Sequence, residues 1–169
     1  MKRLFLVFIA ALVLSGCATS SPSNSKYSTE DIAFAEMMIP HHEQAIEMSE
    51  IAQLNTTNPD VLLLAQQIKD AQSPEIELMK SWDGVKSSTH AGHQMDGMLS
   101  DAEIAALRTA QGAEFDRLFL QGMIKHHEGA ITMAQAVVNS VNKEVADLAA
   151  SIINAQELEI SKMKELLLK

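Results

Sequence analysis

From residue 29 onward, apolar side chains recur at three- and four-residue spacing, and no stretch alternates with the period of a strand. The spacing predicts four long helices over 29–54, 59–82, 113–139 and 143–168, and a short one over 101–109. Start signals agree with it. Ser28 with Asp31, and Ser100 with Glu103, have capping-box spacing, and Asn58 precedes Pro59 as an N-cap precedes a first-turn proline. Pro40 and Pro74 fall inside predicted helices, where each removes one backbone hydrogen bond and should bend the helix locally.

The pattern occurs twice. Phe34, Met38, Ile39, His41, His42, Glu43, Ala45, Ile46 and Met48 return as Phe119, Met123, Ile124, His126, His127, Glu128, Ala130, Ile131 and Met133, at an offset of 85. Further on, Val61, Ala65, Ile68, Gln72, Glu75 and Met79 return as Val145, Ala149, Ile152, Gln156, Glu159 and Met163, at an offset of 84. Each unit reads as a helical hairpin, so the expected fold is all-α, a four-helix bundle built from two repeated hairpins. Repeat one covers 28–82, a Met/His loop 83–99 and repeat two 100–169. Up-down-up-down connectivity would make the first and third long helices parallel. Their His pairs would then share one height, with Gln72, Glu75, Gln156 and Glu159 level with them.

The start of the chain carries a different signal. Residues 1–16, with Lys2 and Arg3 ahead of a short apolar run, read as an export signal, too short for a permanent membrane span. Leu14, Ser15, Gly16 and Cys17 follow the lipobox pattern, which makes Cys17 the expected lipid attachment and 17–27 a flexible Ser/Pro-rich tether. The expected location is the cell envelope on the periplasmic side, with the outer membrane favoured because Ala18 is not the retention aspartate. Cys17 is the only cysteine, so once it is lipidated, thiol nucleophiles, CxxC redox chemistry and thiolate metal sites are excluded. The 169-residue chain has a net charge of −9, and loss of Lys2 and Arg3 makes the mature protein more acidic still. Such a surface disfavours nucleic acid and concentrates cations.

The ten methionines and six histidines, beside one Trp and one Tyr, direct attention to soft-metal chemistry. Phe34, Met38, His41, His42, Ala45 and Met48 share about a third of the helix circumference, the width of a core-facing stripe. Phe119, Met123, His126, His127, Ala130 and Met133 do the same. Two readings stand side by side. Core histidines and methionines can be simple packing residues, whereas duplicated imidazoles beside duplicated thioethers suit a metal site better than packing, given what burying four imidazoles costs. His90, His93, Met95 and Met98 form a second candidate cluster on a Gly-containing loop. Thioethers select Cu(I), and imidazole accepts both copper states and zinc. No Glu precedes a His by three residues, which argues against a di-iron carboxylate centre.

The doubled Met-Ile-x-His-His-Glu-x-Ala-Ile-x-Met unit resembles the CopM-like copper-binding family, a bacterial family of unknown-function domains with a ferritin-like four-helix fold. The resemblance implies copper binding, Cu(I) above Cu(II) with Ag(I) as surrogate, in tolerance or trafficking and without catalysis. It implies Met38, His41, His42, Met48, Met123, His126, His127 and Met133 as ligands. Gly122 stands where repeat one has Met37, so any use of Met37 would be one-sided. Expected partners are metal ions, the membrane through the lipid anchor alone, and a copper-handling protein or a second copy. A structural or partner-binding bundle, and a metalloenzyme, remain the alternatives.

Overall fold

The computed structural model describes residues 25–86 and 95–169; the export signal, Cys17, the tether up to residue 24, His90 and His93 lie outside the described residues. Five helices follow in order: α1 (Thr29–Asn55), α2 (Pro59–Lys80), α3 (Asp101–Thr109), α4 (Gly112–Gln135) and α5 (Lys143–Leu166). The starts of α1, α2 and α3 are set by the expected caps at Ser28, Asn58 and Ser100. The Ser28 hydroxyl accepts from the Asp31 N–H at 3.1 Å while the Asp31 carboxylate accepts from the Ser28 N–H at 2.9 Å. Asn58 and Asn142 cap α2 and α5 alike, each side chain accepting the N–H two residues on at 3.1 Å. α1 and α2 run through Pro40 and Pro74.

Three ends fall short of expectation, that of α5 by two residues at Leu166. α4 stops at Gln135 rather than 139, because the Ala136 and Val137 N–H groups turn back to the carbonyls three residues earlier. α2 stops at Lys80 rather than 82, and the chain then folds Trp82 inward. The indole stacks on Tyr27 with centroids 5.0 Å apart and donates its N–H to Glu144 at 3.2 Å. That apolar pair closes one end of the bundle.

α1 packs along α2, α4 along α5, and the hairpins meet mainly through α1 and α4. The expectation that α1 and α4 run parallel is overturned. Ser140, just beyond α4, bonds Asp31 at the start of α1, while Asn55 at the end of α1 donates to the carbonyls of Leu107, Arg108 and Ala110, just before α4. The helices are therefore antiparallel. The reason is the connection after α2. Residues 81–111, including α3, are long enough to carry the chain back along the bundle instead of turning tightly at its end.

The core divides accordingly. One cluster joins Met48 and Ile51 of α1 to Phe115, Phe119 and Met123 of α4, and the other joins Phe34 and Met38 to Ala130 and Ala134. Each mixes opposite halves of the two repeats, as a pseudo-twofold axis perpendicular to the bundle requires. Burial of each large side chain contributes about 1.5–3 kcal/mol.

Candidate metal centre

The pseudo-twofold passes through the histidines. His41, His42, His126 and His127 are all fully buried near the middle of α1 and α4, and the His41 and His126 rings lie 3.7 Å apart between centroids. His126 and His127 are 6.3 Å apart on the same measure. The shared height expected from sequence holds, although through antiparallel rather than parallel helices.

On either side, a carboxylate holds the second histidine of each pair. His42 Nε2 donates to Glu75 on α2 at 2.8 Å, and His127 Nε2 donates to Glu159 on α5 at 2.7 Å. An ionised carboxylate can only accept, so Nε2 carries a proton in each ring and Nδ1 is the nitrogen left over for another partner. His41 Nε2 similarly donates to the Asp96 carbonyl at 3.2 Å. Nδ1 of His41, His42 and His127, and both ring nitrogens of His126, are buried without a hydrogen-bond partner. A buried polar group left unsatisfied costs about 1–3 kcal/mol. Five such atoms in one layer are a concentration that packing alone does not explain.

The environment keeps His41 and His126 neutral. Burial, and then the neighbouring His42, push the His41 pKa down to about 3. Burial pushes His126 well below its ordinary value, with His41 and His127 adding to the effect. Neutral imidazole is the form that ligates a metal. Fixing one nitrogen with a carboxylate or a carbonyl so that the other is presented as donor is how metal-binding histidines are usually oriented.

Glu75 and Glu159, which bond the second histidine of each pair, stand outside the candidate set. Their signal was present in the repeat at offset 84 and in their height on the helices. Gln72 and Gln156, one turn away on the same helices, are buried with unpaired amide atoms. Among the thioethers, Met38, Met48 and Met123 are fully buried, whereas Met133 is half-buried. Among the described residues, no three His, Cys, Asp or Glu side chains are grouped closely enough to hold a metal by themselves. A site here would have to use thioether sulfur as well.

The described end of the Met/His loop is packed, not free. Gly97 and Leu99 are buried in the groove between α1 and α4, and the Gln44 amide bonds both the N–H and the carbonyl of Leu99. Gly97 has φ +81°, and a Cβ there would lie 2.7 Å from the Lys125 carbonyl. A Cβ on Gly129 would collide with the Asp96 carbonyl, and one on Gly122 would come within 3.0 Å of a Leu99 methyl. Gly122 and Gly129 replace Met37 and Gln44 of repeat one. Repeat two has lost side chains where the crossover lies on it.

The family described as a domain of unknown function, DUF305, matches residues 31–167. The chain belongs to the DUF305 family. A DUF305 protein from Streptomyces coelicolor, named as a candidate secreted protein, is 34% identical and superposes with a TM-score of 0.73 over 82% of this chain and 91% of that one. CopM in its Cu(II)-bound form is 37% identical, with a TM-score of 0.70 over 81% of this chain and 95% of that one. CopM is also solved in Cu(I)-bound, Ag-bound and apo forms, the first 34% identical over 83% of this chain and 96% of that one with a TM-score of 0.65. The chain is thus a CopM-like member of DUF305 with an all-α bundle fold. An uncharacterized protein L153 of Acanthamoeba polyphaga mimivirus is 40% identical over 65 residues, 38% of this chain, and the match spans 42% of that protein's length.

Proposed function

We propose that this chain is an exported copper-binding lipoprotein that handles Cu(I), with Cu(II) and Ag(I) also accepted, and that it catalyses no reaction. The observation that carries the reading is the layer of five buried ring nitrogens without partners. Copper is the cargo. His41, His42, His126 and His127 supply imidazoles, and Met38, Met48, Met123 and Met133 add soft sulfur from adjacent turns. The Cu(I)-, Cu(II)- and Ag-bound forms in which CopM is solved support this choice of metal. His90, His93, Met95 and Met98 form a second, local ligand set. Lipid at Cys17 would tether the bundle to the periplasmic side of the envelope, and the S. coelicolor relative supports export.

A second reading has its own observation. With no three His or acidic groups gathered among the described residues, and with His42 and His127 already bonded to Glu75 and Glu159, the histidines could serve the core alone. Titration of the full chain with Cu(I), Ag(I), Cu(II) and Zn(II), read by metal content and melting, separates the two. Ligand histidines predict that the metal-loaded protein melts well above the apo protein, and that replacing all four with Gln removes most of that gain. Unchanged metal-induced stabilisation in that variant would favour the packing role. Fatty-acid labelling that enters the wild type but not Cys17→Ser tests the anchor.

A further inference from the structure

The pseudo-twofold that relates the hairpins also relates the two ends of the bundle, and the ends are not filled alike. At the end closed by Tyr27 and Trp82, both rings are buried. Glu144 accepts there from the Trp82 N–H at 3.2 Å, from the Tyr27 hydroxyl at 3.4 Å and from Lys26. Both oxygens of Asp31 are bonded as well, one to the Ser28 N–H and the other to the Ser140 hydroxyl at 2.7 Å.

The repeat offsets carry Tyr27, Asp31, Trp82, Asn142 and Glu144 onto Gly112, Asp116, Leu166, Asn58 and Asp60. The polar frame is kept at this second end. Asn58 caps its helix as Asn142 does, and Asp60 bonds Lys169 at 2.8 Å as Glu144 bonds Lys26. The rings are not kept. Between the starts of α2 and α4 and the end of α5 lies an open cavity of about 340 Å³, with Leu120, Leu166 and Leu167 as apolar wall and Asp60, Asp116 and Lys169 on its polar side. A Cβ on Gly112, where repeat one has Tyr27, would meet no atom within 4 Å.

Asp116 differs from Asp31 as the open end differs from the closed one. Asn58 donates to one of its carboxylate oxygens at 2.8 Å, but the other is buried without a partner. The cations beside the cavity are already bonded, Lys169 to Asp60 and Arg117 to Glu114. Of the two acidic groups lining the cavity, Asp60 therefore has a cation on it and Asp116 has none.

We propose that this cavity binds a small aromatic amine, with a flat ring in the space that Tyr27 and Trp82 fill at the other end and a protonated nitrogen on the side of Asp116. The volume and the mainly apolar wall with a few polar groups are those of small-ligand sites. A ring buries a large apolar area, and a cation offsets a carboxylate whose desolvation nothing else compensates. The site lies at the end of the bundle, away from the His layer in the middle of α1 and α4, and stands independently of the copper reading.

The test is a titration of the full chain, labelled with 13C at its leucine methyls, with tyramine, p-cresol and butylamine. Tyramine should shift the Leu120, Leu166 and Leu167 methyls saturably and leave Leu148 unmoved. p-Cresol, which lacks the amine, and butylamine, which lacks the ring, should each bind at least about tenfold more weakly. Asp116→Asn keeps an acceptor for Asn58 and removes the charge, so tyramine should lose its advantage over p-cresol. Ala113→Trp, at an exposed position on the rim, should fold, cover the mouth and abolish the shifts. No saturable shift at the three leucines would overturn the site, as would undiminished shifts in A113W. Equal affinity for tyramine and p-cresol in the wild type, or an unchanged preference in D116N, would overturn the amine assignment.

Discussion

Repeat one and repeat two build the same hairpin around the same histidine pair, and the His42–Glu75 and His127–Glu159 bonds match within 0.1 Å. They differ where the crossover lies. Met37 and Gln44 of repeat one correspond to Gly122 and Gly129 of repeat two, and those glycines stand under Leu99 and Asp96. The difference teaches that divergence between duplicated halves can be read as a footprint: the second copy shed side chains where the connection crosses it. It also leaves His41 bonded to the crossover and its mate His126 unpartnered.

The largest effect expected is on what the halves share, the neutrality of their buried rings. His41 has a native pKa of about 3 against an ordinary 6.5, and His126 is shifted in the same direction. Between those values the unfolded chain binds more protons than the folded one, so apo stability is full above pH 6.5 and is lost as pH falls toward 3. By pH 5 each of the two rings should have cost roughly 2 kcal/mol. Chemical denaturation of the metal-free protein from pH 7 to 5 measures this. H41Q and H126Q should each flatten the slope, and a flat wild-type profile would show that the rings are not held neutral by burial.

The next effect sharpens the difference between halves. Gly129→Ala drives a methyl into backbone and should destabilise by about 3 kcal/mol, or about 10 °C in Tm. Gly122→Ala meets only the end of a Leu99 side chain, and the gain in helix propensity of up to about 1 kcal/mol should leave it near neutral. Equal melting temperatures for the two variants would remove the footprint argument.

The smallest effect belongs to the symmetric carboxylates. Glu75→Gln and Glu159→Gln keep an acceptor but lose the charge, so each should cost about 1 kcal/mol of apo stability. Each should also weaken copper binding about tenfold or more, as loss of a group that orients a ligand does. Near-equal values would support the twofold, and a large inequality between them would break it.

Helices, caps and the repeat were legible in the sequence, because spacing, capping boxes and the Asn58–Pro59 step are local chemistry. The inward direction of His41, His42, His126 and His127 was legible too, since Phe34, Met38 and Ala45 share their stripe. The direction of α4 against α1 was not. It depends on whether the 81–111 connection turns at the bundle's end or runs its length, and no local residue encodes that choice. The tautomers were equally out of reach, because Glu75, Glu159 and Asp96 meet their histidines only across helices. The packing of Gly97 and Leu99 was not legible either, because glycine signals flexibility and tight contact alike.

The central claim is that Nδ1 of the buried histidines is presented to a metal. 15N NMR of the imidazole rings in the full chain, before and after addition of Ag(I), tests it most directly. The account predicts rings protonated at Nε2 for His41, His42 and His127 in the apo protein, and Nδ1 resonances that move on metal binding while the Nε2 protons remain. Stoichiometric uptake of Ag(I) with all four histidine Nδ1 resonances unmoved would contradict it.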